Sequence, residues 1–409
     1  MARRNLPLDG IRVIDLGQVY QGPYCTFLMA QAGADVIKVE PLKGEPIRLR
    51  AEVSRGSAIP FAMLNQNKRA MTLNLKSEDG KDVLRRLVAT ADVLVENYAP
   101  GVMDRLGVGY DALREVNPRL VYASGSGFGL DGPDRDKQAM DVTVQAASGM
   151  MSVTGFPDGP PVKCGPAVAD FLSGTHLYAG IVTALYERTI TGEGRMVEVA
   201  MQETIYPTLA SNLGMIYDGH GVPPRTGNRH GGLASCPYNV YPCSDGYIAI
   251  ICTNEGHWGN LLTAMGRPEL ATDPRYCNRA ARVANMEETD AMIGAWTGRH
   301  SRAELDRLFR ETKVPCAVVR DLVEVTNDPH MHGRGALNWI DHPEFGRLVV
   351  PGSAIRYHGA DTVPAAASPR LGEDSRAVLS GDLGLSADDI ERLEREGVIG
   401  PAPVAHAAE

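Results

Sequence analysis

The chain has 409 residues, a formal net charge of -9 and a hydrophobic fraction of 44%. At roughly 150 residues per domain this length predicts two to three domains, and the acidic balance argues against a nucleic-acid binder. No run of ~18 apolar residues occurs, so no membrane-spanning helix is expected. The basic pair Arg3-Arg4 has no apolar stretch behind it and does not read as a signal peptide.

The first half alternates strand and helix patterns. Ile11 to Leu16 reads as a short strand, and Gly22-Pro23 opens a helix running to about Ala32, stopped by Gly33. Asp35 to Glu40 is the next strand. Ser77 to Ala91 reads as a helix with Leu84, Leu87 and Val88 on one face. Ala91 to Glu96 and Leu120 to Ala123 are further strands. Phe171 to Ile190 reads as a long helix, with Leu177, Ile181, Ala184 and Leu185 at helical spacing. Arg195 to Ala200 is a strand and Gln202 to Tyr217 a helix. This rhythm predicts a largely parallel, Rossmann-like α/β sheet covered by helices.

From Asp218 to Pro237 the chain is rich in Gly, Pro and Asn and reads as a linker or active-site loop. Tyr238 to Thr253 then reads as a hairpin around Ser244-Asp245-Gly246. Helices are expected near 255–266, 286–298 and 302–312, the last opened by the capping box Ser301-Arg302-Ala303-Glu304. The expected division is 1–205 in a large domain, 206–225 as linker, 226–330 as a small α+β domain, 331–345 as a second linker, and a tail over 346–409. A final helix opens at Ser386.

Several chemistries lack their signatures. No P-loop, G-x-S-x-G or H-E-x-x-H occurs. Gly125-Ser126-Gly127-Phe128-Gly129 ends on Leu130, so the dinucleotide fingerprint is missing. His330-Met331-His332 has no third ligand in view, and no metal site is assigned. The seven cysteines contain no C-x-x-C pair and read as reduced thiols of a cytoplasmic protein.

A set of ordered segments resembles the class III CoA transferases, a family that includes formyl-CoA:oxalate and carnitine CoA transferases. They are Leu8-Asp9-Gly10-Ile11-Arg12-Val13-Ile14-Asp15, Gly22-Pro23, Gly33 to Glu40, Asn67-Lys68-Arg69, Glu96 to Gly101 leading into Asp104 to Gly107, Thr154 to Pro161, Gly192 to Gln202, Gly227-Asn228, and Pro369 to Glu373. Each is weak alone; their order and spacing are specific. The resemblance implies a Rossmann-like large domain built from both termini, so that 346–409 returns to it, a smaller domain, and two chains threaded as linked rings into a homodimer. It implies no prosthetic group, with coenzyme A and acyl-CoA as substrates, and carboxylic acids rather than nucleic acid or membrane as partners.

By the same resemblance Asp170 is the nucleophile, forming first an aspartyl-acyl anhydride and then an aspartyl-CoA thioester. On pattern alone Asp170 reads as the N-cap of the long helix. Gly231 and Gly232 are candidates for stabilising oxyanions. Family positions for CoA contact match Tyr20, Gln21, Leu73, Lys76, Asn97, Tyr98 and Arg105; the cations Lys76 and Arg105 suit phosphates. Gln138, Met140, Asp141, Gly227 and Asn228 are expected near the acyl group. Arg225, Arg229 and His230 are expected to bind a second carboxylate, which suggests a donor such as succinyl-CoA. Formyl-CoA transferase carries glutamine where this chain has Tyr20 and arginine where it has Pro41, so the expected acid pocket differs from the oxalate one. An α-methylacyl-CoA racemase-like isomerase and a non-catalytic CoA-binding paralogue remain the alternatives. Against the first, the position of the racemase histidine is occupied by Met140.

Overall fold

The computed structural model describes residues 5–400, which leaves Arg3-Arg4 outside the described residues. The chain divides into two compact units. Among the described residues the first comprises 5–144, 166–205 and 328–400, and the second 145–165 and 206–327.

The first unit is built on six strands: β1 (Arg12–Asp15), β2 (Asp35–Glu40), β3 (Arg69–Thr72), β4 (Val93–Glu96), β5 (Val121–Ser126) and β6 (Met196–Ala200). Their order is β3-β2-β1-β4-β5-β6, with every pairing parallel. Parallel strands covered on both faces are apolar on both faces, and the side-chain alternation shows it. Ile14, Ile37 and Leu94 point to one side. There they pack with Leu84, Leu87 and Val88 of the helix α2 (Glu78–Ala89) and with Ile390 and Leu393 near the C-terminus. Val13, Val36, Val93 and Val121 point to the other. They meet Phe27 and Met29 of α1 (Gln21–Gln31) and Leu177 and Ile181 of α3 (Val168–Thr191). Gly174 lets α3 cross α1 closely, because a Cβ there would lie 2.7 Å from the Gln21 carbonyl oxygen.

The return of the chain into this unit is held by specific polar contacts. Asp382 pairs with both Arg12 and Arg69, and Asp374 accepts the Ala70 amide. The stretch 331–345, expected as a linker, contains the end of a short helix (Pro329–Gly333) and the strand Leu337–His342. That strand pairs antiparallel with Gly346–Pro351.

The second unit holds a three-stranded antiparallel sheet, Tyr238–Cys243, Gly246–Ile251 and Cys316–Val318, with helices over Trp258, Ile293 and Phe309. Its buried cation Arg282 is satisfied by Glu255, by the Cys236 and Tyr276 carbonyls, and by the Trp258 ring at 4.8 Å. Residues 145–165 group with this unit rather than with the block 1–205 expected from the linear pattern. The helix expected over 202–217 is broken into Met201–Ile205, a 3-10 turn containing Pro207, and Ala210–Tyr217, since proline cannot continue the hydrogen-bond ladder. Among the described residues no helix is long and apolar enough to cross a membrane.

Candidate active site

In an open parallel sheet, ligands bind outside the carboxyl ends of the strands where the strand order reverses. Here that point lies between β1 and β4. The loops that leave these two strands hold each other. The Gln18 amide donates to Asn97 Oδ1 at 2.7 Å, and Asn97 Nδ2 donates back to the Gln18 carbonyl at 3.0 Å. Gly17 and Gly22 approach so closely that a Cβ on either would come within 3 Å of the other's backbone. Val19 sits at φ 62, a left-handed conformation costly for a β-branched residue. It is held there by Glu45, whose Oε2 accepts the Val19 amide and also caps Ile47.

Beside these loops is a cavity of about 530 Å³ bordered by Gln18, Gln21, Arg50, Asn97, Asp141 and Asp170, among others. A second cavity of about 530 Å³ is bordered by Leu73, Lys76, Leu42 and Lys43. The two share Tyr98 and Arg105. Six of the seven expected CoA contacts thus border one cavity or both: Gln21, Leu73, Lys76, Asn97, Tyr98 and Arg105. Tyr20 lies behind: its hydroxyl accepts from Arg50 Nη1 at 3.0 Å, and its ring packs 5.9 Å from Phe171. Glu96 fixes Tyr98 by accepting its backbone amide at 2.8 Å.

Asp170 is 8% exposed and is the third residue of α3. It is not the N-cap that pattern allowed. The helix begins earlier, after Ala167, and its amide groups are capped from elsewhere in the chain. Asp141 Oδ2 accepts the Ala169 amide at 2.8 Å and the Asp170 amide at 3.3 Å. The Asp170 carboxylate therefore caps nothing and accepts no hydrogen bond among the described residues. Burial, reinforced by the neighbouring Asp141 charge and opposed by Arg50, pushes its pKa up to about 7. Gln138 and Met140, which border the same cavity, are exposed.

The remaining expected residues belong to the second unit. The Arg225 guanidinium donates to the Phe156, Pro157 and Gly159 carbonyls. Arg229 pairs with Asp290 at 2.8 Å. Gly227 adopts φ 61 and donates its amide to the Gly155 carbonyl. Asn228 borders a groove along the sheet of that unit. His230 Nδ1 accepts the Gly232 amide at 3.1 Å, so that amide already has an acceptor. Asn212 donates to the Gly231 carbonyl. Gln18, Arg50 and the capping role of Asp141 were not readable from the sequence. Residues 46–58 show no periodicity there, and only the tertiary fold brings Arg50 to the cavity of Asp170.

These features match known proteins across the chain. The family described as CoA-transferase family III matches residues 8–375. Formyl-CoA:oxalate CoA-transferase of Streptomyces avermitilis is 37% identical, covering 96% of this chain and 99% of that one. Succinyl-CoA--D-citramalate CoA-transferase of Chloroflexus aurantiacus is 34% identical, covering 96% and 98%. The crystal structure of a CAIB/BAIF family protein from Brucella suis matches with a TM-score of 0.81 at 34% identity, over 92% of this chain and 99% of that one. Since the match runs from the strand that begins the sheet to the segment that returns to it, the chain belongs to CoA-transferase family III.

Proposed function

We propose that the enzyme moves CoA from an acyl-CoA donor to a free carboxylic acid through covalent intermediates on Asp170. The observation that carries this reading is the Asp170 carboxylate itself: buried, unengaged, and facing a cavity that shares two residues with a second one. A long thioester fits such a pair of cavities, with its phosphates near Lys76 and Arg105 and its thiol end toward Asp170. Asn97, Tyr98 and Gln21 line the way between, and Leu73 offers apolar contact.

The steps balance as follows. An Asp170 oxygen attacks the donor thioester carbon, the C–S bond breaks, and CoA thiolate leaves an aspartyl-acyl anhydride. The thiolate attacks the aspartyl carbonyl and releases the donor acid. The acceptor carboxylate attacks the resulting aspartyl-CoA thioester and again expels thiolate. The thiolate then attacks the acyl carbon of this second anhydride, which gives the new acyl-CoA and restores Asp170. Each tetrahedral oxyanion needs amide donors. Gly231 is the stronger candidate of the glycine pair, because the Gly232 amide is taken by His230.

The isomerase alternative needs a proton acceptor on each face of the α-carbon. Met140 cannot serve at neutral pH, and Asp141 is held at the start of α3 by two amides. The names of the two relatives include oxalate, succinyl-CoA and citramalate, which favours small acids with two carboxylates here, succinyl-CoA among the donors.

Two expected outcomes follow from this reading. Only ionised Asp170 attacks, and its pKa is about 7. The kcat/KM for acyl-CoA therefore falls about tenfold per pH unit below 7 and levels off above it; a profile flat down to pH 5 contradicts the assignment. The protein is also expected to form the interlocked homodimer of the resemblance. Sedimentation across a dilution series should show no folded monomer, and a stable monomer speaks against the threading.

A further inference from the structure

We infer that Arg50 is the residue that recognises the acid substrate, by pairing with a second carboxylate remote from the reacting one. The inference rests on the transfer chemistry at Asp170 and adds to it a residue that selects the short dicarboxylates that reading favours.

The cavity wall around the nucleophile carries negative charge from Asp170, Asp141 and Asp136. A dianionic acid cannot approach such a wall without a cation to receive it. The other cations of the cavity have other engagements. Arg135 pairs with Asp136, and Lys137 pairs with Asp134 at 2.9 Å. Arg105 borders both cavities, and the proposed function assigns it to the phosphates of CoA. Two residues from Arg50, Arg48 is engaged by a bidentate pair with Glu40 and by the Pro369 carbonyl.

Arg50 differs from Arg48, Arg135 and Lys137. It has no ion pair among the described residues, and its hydrogen bond is to the neutral Tyr20 hydroxyl at 3.0 Å. Its guanidinium centre lies 5.8 Å from the centroid of the Tyr20 ring, which in turn packs against Phe171, the neighbour of Asp170. The aromatic support orients the fork, while four of its five N–H donors stay open for a carboxylate. In the second unit, Arg225 and Arg229 already hold carbonyls and Asp290, so they are less suited to this role.

The chemistry selects which carboxylate Arg50 takes. The reacting carboxylate must direct a lone pair at the aspartyl thioester carbon, and a guanidinium fork would occupy both of its oxygens. The remote carboxylate carries no such demand.

The test is isotope exchange of labelled acid into its own CoA ester at pH 8.5, above the ionisation of Asp170. Succinate with succinyl-CoA, glutarate with glutaryl-CoA and butyrate with butyryl-CoA are compared. Each pair regenerates itself, so donor choice is not a second unknown. Wild type should favour at least one dicarboxylate over butyrate. In Arg50→Gln the ratio of kcat/KM for that dicarboxylate over butyrate should fall about 10- to 100-fold, and Arg50→Lys should recover part of it. An equal loss for both acids in Arg50→Gln, or a wild-type preference for butyrate, or no exchange of either dicarboxylate, overturns the inference. Hydroxylamine trapping of wild type with each acyl-CoA, read by mass at Asp170, reports the nucleophile separately. A hydroxamate there with an unchanged acid ratio in Arg50→Gln sinks Arg50 and leaves the transfer chemistry standing.

Discussion

Asp170→Asn and Asp170→Ala are each expected to lower CoA transfer by about 10³-fold or more, with acyl-CoA binding retained. In the proposed mechanism the covalent route passes through this one carboxylate, and an amide at the same place cannot form the anhydride. Because Asp141 rather than Asp170 caps α3, neither variant removes a helix cap, so lost activity cannot be ascribed to a frayed helix. Stability should move the opposite way. Asp170 titrates near 7 in the folded chain and near 4 when unfolded, so between those values the native state holds the extra proton. Its contribution is full below pH ~4 and is lost as pH rises through 7. Asp170→Asn escapes that loss. Its melting temperature should match wild type at pH 4, exceed it at pH 8, and stay level beyond. An Asn variant with more than a few per cent of wild-type turnover, after mass spectrometry excludes deamidation, defeats the mechanism.

Five of the six strands of the large sheet were legible because burial on both faces writes a plain apolar run, as in Val13-Ile14 and Val93-Leu94-Val95. Their spatial order was not. Parallel pairing is set by crossover helices and long-range packing, and nothing in β3 announces that it lies at an edge. The helix around Asp170 was found from Leu177 and Ile181, but its start was placed three residues late. Ala167 carries no capping side chain, and the cap comes from Asp141, far back in sequence. The strand Leu337–His342 hid for a different reason. Half-exposed hairpins bury little, and Asn338, Asp341 and His342 dilute the pattern. The proposed nucleophile and the proposed CoA contacts came from ordered motifs rather than from periodicity, since a lone aspartate or lysine carries no local signal. Arg50 had neither motif nor period. Its meaning comes from being left without an ion pair beside Asp170 after Arg48, Arg135 and Lys137 have found theirs.

Lys68→Met should be the most damaging single change away from Asp170, lowering stability by about 3–5 kcal/mol. The Lys68 and Asp15 side chains are fully buried and 2.9 Å apart. Lys68 Nζ also donates to Thr26 Oγ1 at 2.7 Å, Asn65 Oδ1 at 2.8 Å and the Pro23 carbonyl at 3.1 Å. Burial pulls its pKa down to about 8 against the attraction of Asp15, so at neutral pH it still carries its charge. Burial pushes the Asp15 carboxyl up, but Lys68 and Lys38 outweigh it and hold the group ionised. Removing Lys68 leaves that carboxylate in the interior with Lys38 as its nearest remaining cation, and takes a donor from the Thr26, Asn65 and Pro23 oxygens. Against a total stability of typically 5–15 kcal/mol, this is about a fifth or more. The damage should reach the site, because Asp15 Oδ1 accepts the Gly17 amide and Lys38 Nζ donates to the Gly17 carbonyl. With Asp15 loosened, the loop holding Gln18 and Val19 loses its anchor, and KM for acyl-CoA should rise more than kcat falls. The double variant Asp15→Leu, Lys68→Met separates an unpaired charge from lost packing. It should regain part of the stability in urea unfolding, since two apolar groups replace the ion pair, but not the KM, since Gly17 still lacks its acceptor. A double variant no more stable than Lys68→Met would place the cost in packing and not in the stranded carboxylate.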